Sequence, residues 1–144
     1  DLKIHFTNAE NKIILFNDEF NGFTLSKEAI KSLENTSDIL TEEIRKYLNT
    51  GSYSNKSLSS INQQLIDLEK SFISDKGMYF GSWYRSIYAS SDPFSGYAAW
   101  ILPGLEYEIA LKSSDRLYEW DKRYSDAINS LNLKMSELIN YLNK

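Results

Sequence analysis

Glu106 and Glu108 are the nearest approach in this chain to a catalytic carboxylate pair, the arrangement in which one acid donates a proton while its partner attacks or activates water. Two residues apart on a helix, they point to different sides, which weakens the pair. Glu42 and Glu43 are adjacent and read as solvated. Asp115 and Glu119 share a face with Arg116, Lys122 and Arg123, and Glu119 to Arg123 has the four-residue spacing of an ordinary surface ion pair. The lone histidine, His5, has no acid or nucleophile beside it in any known pattern, so a surface residue is expected rather than a general base. Gly81-Ser82 lacks the second glycine of a nucleophile elbow. No phosphate-binding glycine loop or EF-hand loop is present. Without cysteine and with one histidine, the chain has no thiol nucleophile, thiolate zinc site or His–His metal pair. The sequence therefore assigns no catalytic residue, metal ligand or cofactor.

The one compositional anomaly is the window from Met78 to Trp100. It holds Tyr79, Phe80, Trp83, Tyr84, Tyr88, Phe94, Tyr97 and Trp100, set among Ser, Gly and Ala, with Arg85 and Asp92 as its only charges. Rigid rings with polar tips, small residues and an occasional arginine are the composition of recognition surfaces. Core filling is the expectation for most single rings. Tyr84, Arg85, Tyr88, Asp92, Phe94 and Tyr97 are the residues expected on an exposed binding patch.

Length and balance narrow the class. A chain of 144 residues fits a single domain, 1–144, able to bury a sizeable core. Its net charge of −4, without a basic patch, disfavours nucleic acid and anionic lipid. No apolar run is long enough to span a bilayer, the longest candidate being Tyr97–Leu102. A chain starting at Asp1 without methionine fits a mature exported protein, periplasmic or secreted, and the Lys, Asn, Ser and Ile usage has a bacterial flavour. Asn35-Thr36-Ser37 and Asn55-Lys56-Ser57 match the N-glycosylation pattern, which also arises often by chance.

The elements that must carry these residues are mostly helical. Leu117, Trp120, Tyr124, Ile128, Leu131, Met135, Leu138 and Leu142 follow at steps of three and four, predicting a long helix from about Ser114 to Lys144. A second helix is expected from Ser26 to Asn49, bent or split at Asn35-Thr36-Ser37, and a third from Ser57 toward Gly77. Phe80, Trp83, Tyr84 and Ile87 are spaced as another short helical face, with a further helix starting at Pro93. Leu2, Ile4 and Phe6 alternate with polar residues, a second apolar run spans Ile13–Phe16, and Asn21-Gly22 is a turn signal, so residues 1–25 are expected to form a β-hairpin. The fold class is thus mainly α: a bundle of four to five helices over 26–144 with a short N-terminal antiparallel β-hairpin.

Missing catalytic signatures and the aromatic window favour a non-enzymatic binding protein that recognises another protein through residues 78–100. A bacterial inhibitor or toxin-immunity protein is the concrete expectation. The alternatives are a carbohydrate or cell-wall binding module that stacks sugars on Trp83, Tyr88 or Trp100, and a small hydrolase with Glu106 or Asp92 as acid and Arg85 orienting the substrate. A homodimer through the C-terminal helix is expected if its Tyr124–Leu142 face is left uncovered in the monomer.

Overall fold

The computed structural model describes residues 1–51 and 53–143, so Lys144, the last residue of the expected C-terminal helix, lies outside the described residues. The chain is mainly helical. Five α-helices, α1 (Leu2–Ile14), α2 (Thr24–Asn49), α3 (Asn55–Glu69), α4 (Pro103–Leu111) and α5 (Leu117–Leu142), are joined by a 3-10 turn at Lys70–Phe72 and by two short strands, β1 (Ala89–Ser91) and β2 (Ala99–Ile101). The strands pair antiparallel with Ser90 opposite Trp100.

The expected N-terminal hairpin is a helix, and the chain's hairpin lies mid-chain instead. Leu2, Phe6, Ala9 and Ile13 are four, three and four apart, and this helical stripe covers the whole of α1, whereas the strand-like alternation lasts only to Phe6. Phe6, Ala9 and Ile13 are buried on that stripe, and Asp1 caps the helix by accepting from the Lys3 N–H at 3.1 Å. Asn21-Gly22 does turn the chain, but into α2 rather than into a returning strand. Asn35-Thr36-Ser37 does not break α2 either: Thr36 directs its hydroxyl to the Ser32 carbonyl, and the helix runs on.

α2 and α5 form the spine. Leu25 and Ser26 meet Asp121, Ser32 meets Asn132, and Leu40 packs with Leu138, so the two helices run parallel. α3 runs the other way along α5. Lys134 donates to the Asp67 carbonyl at 2.8 Å, and Ile61 packs with Met135 and Leu138. The expected start at Ser57 is one turn late: Ser54 is the N-cap, and Ser57 closes a reciprocal capping box with it. The larger core gathers Phe6, Ile13, Phe23, Ile30, Leu105, Trp120, Tyr124 and Ile128 where α1, α2, α4 and α5 converge. Within it Phe6 packs edge-on against both Phe23 and Tyr124 at ring separations of 5.6 and 5.5 Å.

Two buried contacts set the angles between these helices. α2 enters the core N-terminus first with no side-chain cap of its own, and its free N–H groups are met from other helices: Glu10 of α1 accepts from Phe23 at 2.8 Å, and Asp121 of α5 accepts from Leu25 at 3.0 Å and Ser26 at 2.8 Å. At the start of α4, a side chain on Gly104 would meet the Trp120 indole at 2.5 Å, so only glycine lets the two helices approach this closely. The Gly104 N–H donates to the buried Tyr124 hydroxyl at 3.2 Å. Burial holds that phenol's pKa well above its ordinary value, so Tyr124 stays neutral.

Asp121→Ala leaves the buried Ser26 N–H and the part-buried Leu25 N–H unpaired and is expected to destabilise the domain by about 2–4 kcal/mol. Gly104→Ala forces apart a close-packed pair and is expected to cost about 1–3 kcal/mol. Urea denaturation followed by circular dichroism measures both, and a loss below about 0.5 kcal/mol for Asp121→Ala would contradict the role given to this carboxylate.

Candidate functional site

Residues 70–102 connect α3 to α4 with little regular structure, and they carry the aromatic window. The short helix expected at Phe80–Ile87 is absent. The Ile87 N–H donates to the Phe72 carbonyl at 2.9 Å and the Ser74 N–H to the Arg85 carbonyl at 2.8 Å, so this stretch pairs back along the chain in extended fashion. Between these pairings the chain reverses at Gly77, whose φ of 63° lies in the left-handed region and whose α-carbon faces the Ser82 carbonyl so closely that any side chain would collide with backbone. That reversal is incompatible with a helix through Phe80. Pro93 likewise opens a loop between strands rather than a helix.

Two arginines, Arg116 at the N-cap of α5 and Arg123 within it, tie this segment down. Arg123 lies over the Trp120 ring at 4.2 Å and donates to the Gly77 carbonyl at 2.7 Å and to Ser74 Oγ at 2.9 Å. Arg116 lies over the Tyr79 ring at 4.4 Å and donates from Nε to Glu108 Oε1 at 2.6 Å. The Tyr79 hydroxyl donates to Glu119 Oε2 at 2.5 Å, and this bond to a carboxylate raises the phenol's pKa.

Outside these ties the rings form one connected layer. Phe80 packs against Tyr84, Trp100 and Tyr107 at 5.0, 6.2 and 5.1 Å; Phe94 reaches Trp100 and lies nearly parallel to Tyr107, both at 6.0 Å; and Trp83 leans on Tyr84 at 5.7 Å. The inner members join the core, with Phe80 and Tyr84 packed against it. The outer members are open to solvent: Trp83 is 75% exposed and Phe94 63%. Tyr97, 97% exposed, lies in the β1–β2 loop, two residues before β2. Asp92 holds that loop by accepting from the Phe94 N–H at 2.8 Å and from Ser95 Oγ at 2.6 Å, while the Asp92 N–H and carbonyl bind Ala98 and Gly96.

The six expected binding residues therefore divide. Phe94 and Tyr97 are surface residues, and Tyr88 sits at the margin against Phe72. Tyr84 supports from beneath, Arg85 pairs with Asp75, and Asp92 shapes the loop. Trp83 and Tyr79, expected to be less exposed than these, belong to the surface. No residue spacing distinguishes them from the inner rings, because their orientation is set by the reversal at Gly77. The groups considered for hydrolysis are held by separate partners: Glu106 pairs with Lys12 at 2.6 Å, Asp92 with its own loop, and Arg85 with Asp75. Among the described residues no group of three acidic, histidine or cysteine side chains is placed to hold a metal ion, and no helix is long and apolar enough to cross a membrane.

Residues 22–136, from the turn before α2 to the last third of α5, match the family model of the transferrin receptor-like dimerisation domain. The chain belongs to that family. In this dimerisation-domain family member the match takes in most of the parallel spine, the whole aromatic segment and both arginine ties, and leaves α1 and the end of α5 outside. No curated protein gives a significant match. A domain of this family fits protein–protein association, the coarse function expected from the aromatic window.

Hydrogen bonds from Ser95 and Phe94 hold the Asp92 carboxyl below the usual carboxylate range. A lowered folded pKa means that the ionised form supports the loop. That support is complete above the ordinary aspartate pKa and is lost as pH falls through the lowered value. Amide NMR shifts of Phe94 and Gly96 are expected to titrate with a midpoint below the ordinary aspartate value. In Asp92→Asn the transition is expected to vanish. A midpoint at or above the ordinary value would contradict this assignment.

Proposed function

We propose that this chain is a non-enzymatic association domain that pairs with a second copy of itself through the aromatic face of residues 78–100. The observation that carries the reading is the open edge of the ring layer: Trp83 and Phe94 stand in solvent, as does Tyr97 of the same segment, whose inner rings are packed against the core. Exposed rings clustered on a rigid base, with few charges among them, have the make-up of an interface centre. The family supports a second copy as the partner. An inhibitor or immunity protein would turn the same face to an unlike protein.

Pairing through the C-terminal helix is the narrower alternative. Tyr124, Ile128, Met135 and Leu138, the stripe on which that expectation rested, are buried within the monomer, the first two in the core shared with α1, α2 and α4 and the last two against α2 and α3. What α5 has left to offer is its outer side, chiefly Tyr118 and Leu133.

Sedimentation equilibrium over a range of concentrations tests the reading. The chain is expected to form a dimer, and Trp83→Ser and Tyr97→Ser are each expected to raise its dissociation constant by about tenfold or more. Leu133→Ser is expected to leave it unchanged. A dimer broken by Leu133→Ser but not by the aromatic substitutions would move the interface to α5. A monomer at every concentration would remove self-association and leave the unlike partner.

A further inference from the structure

The aromatic face is held from behind by a charge that solvent does not reach. Glu108 of α4 is 0% exposed, and among the described residues its Oε2 has no hydrogen-bond partner. The charge of this carboxyl is met through Oε1 by Arg116 at 2.6 Å. Arg116 in turn lies over Tyr79, the first ring of the window, and Tyr79 reaches on to Glu119 one turn along α5. Each link constrains the next. A guanidinium drawn toward a buried carboxylate is fixed in position, and a fixed guanidinium offers its plane to one ring at one place. The bond to Glu108 also raises the pKa of Arg116, so the cation stays charged throughout the ordinary pH range.

We infer that Glu108 and Arg116 form a buried ionic latch that preorganises the Tyr79–Tyr84 end of the aromatic face, and so sets the strength of association without touching the partner. They are positioning residues. The inference rests on the proposed association face. Its physical content is that a face already held in its bound arrangement loses less conformational freedom on docking. Glu108 lies on α4 and Arg116 at the start of α5, so the turn between them, Lys112–Arg116, reports to a face elsewhere in the chain. In that turn Lys112 takes a left-handed φ of 50° and Ser113 donates its N–H to the Glu108 carbonyl, which fixes where α5 begins.

The test uses the full chain with Glu108→Gln, which keeps the shape and removes the charge, and Arg116→Lys, which keeps the charge and removes the planar fork. Trp83→Ser serves as the control for the face itself. Hydrogen exchange resolved by segment is the direct readout. Exchange of residues 77–84 is expected to rise about tenfold or more in either latch variant, with α2 and the middle of α5 unchanged. The dimer dissociation constant is expected to rise about tenfold, which is 1.4 kcal/mol. The double variant should add little to either single one, because both break one link.

Unchanged exchange in 77–84 in both latch variants would overturn the latch whatever the oligomeric state. If Trp83→Ser weakens the dimer while both latch variants leave it intact, the latch has no hold on association and the inference fails while the face stands. If the exchange rises but no variant, Trp83→Ser included, alters association, the latch is real and the proposed face is wrong. Should Glu108→Gln fail to fold, Arg116→Lys and Tyr79→Phe, which keeps the ring and loses the bond to Glu119, decide by the same readouts.

Discussion

The fold depends on a carboxylate that one helix places at the N-terminus of another. Asp121 belongs to α5 but spends both oxygens on the first free N–H groups of α2. Two long helices packed side by side in the same direction bring their positive ends together, an unfavourable arrangement of dipoles. A buried negative charge between those ends offsets it and satisfies donors that would otherwise be orphaned in the core. Glu10 acts likewise from α1 at the Phe23 N–H and is itself paired with Lys27 at 2.8 Å. Three helices are thereby keyed to one point, and the apolar cluster around Phe6, Phe23 and Tyr124 fills the space they define.

From that point the chain has to return before α5 can begin, and the return is where its unusual residues are found. Irregular backbone needs partners for its polar groups, and α5 supplies them through Arg123 to Gly77 and Ser74. The aromatic rings supply apolar area where no helix or sheet presents a continuous face. Part of that area is shared with the core and part is left open, so one segment both seals the bundle and offers a surface.

What could be read in advance follows the length of each pattern. The eight-residue stripe of α5 and the apolar faces of α2 and α3 were legible because many positions agree on one period. Over residues 2–6 the alternation of Leu2, Ile4 and Phe6 and the helical spacing of Leu2 and Phe6 are both satisfied, and only Ala9 and Ile13, two buried positions further on, decide for the helix. Phe80–Ile87 failed for the opposite reason. A convincing spacing was overruled by one backbone reversal, and that reversal depends on contact between Gly77 and Ser82 that no periodicity records. The aromatic window stood out by composition, yet which rings face water depends on the same reversal. The partners of Glu108 and Asp121 are tertiary, and nothing in their local sequence announces them.

The parallel course of α2 and α5 also bears on how the chain acquires its structure. Antiparallel helical hairpins join neighbours that are close in sequence and form early. Here the contact that orders the core joins residues 96 positions apart, Leu25 and Asp121. A mainly helical protein ordinarily folds fast because its contacts are local, and this one carries a spine with the loop-closure entropy typical of β-rich topologies. Until α5 is complete, Ala29, Ile30 and Leu40 of α2 lack the partners that α5 supplies to their clusters, Trp120, Tyr124, Ile128 and Leu138 among them. The domain is thus committed late, when nearly all of its sequence is present, and any truncation within α5 removes the far half of the same interface rather than an appendage.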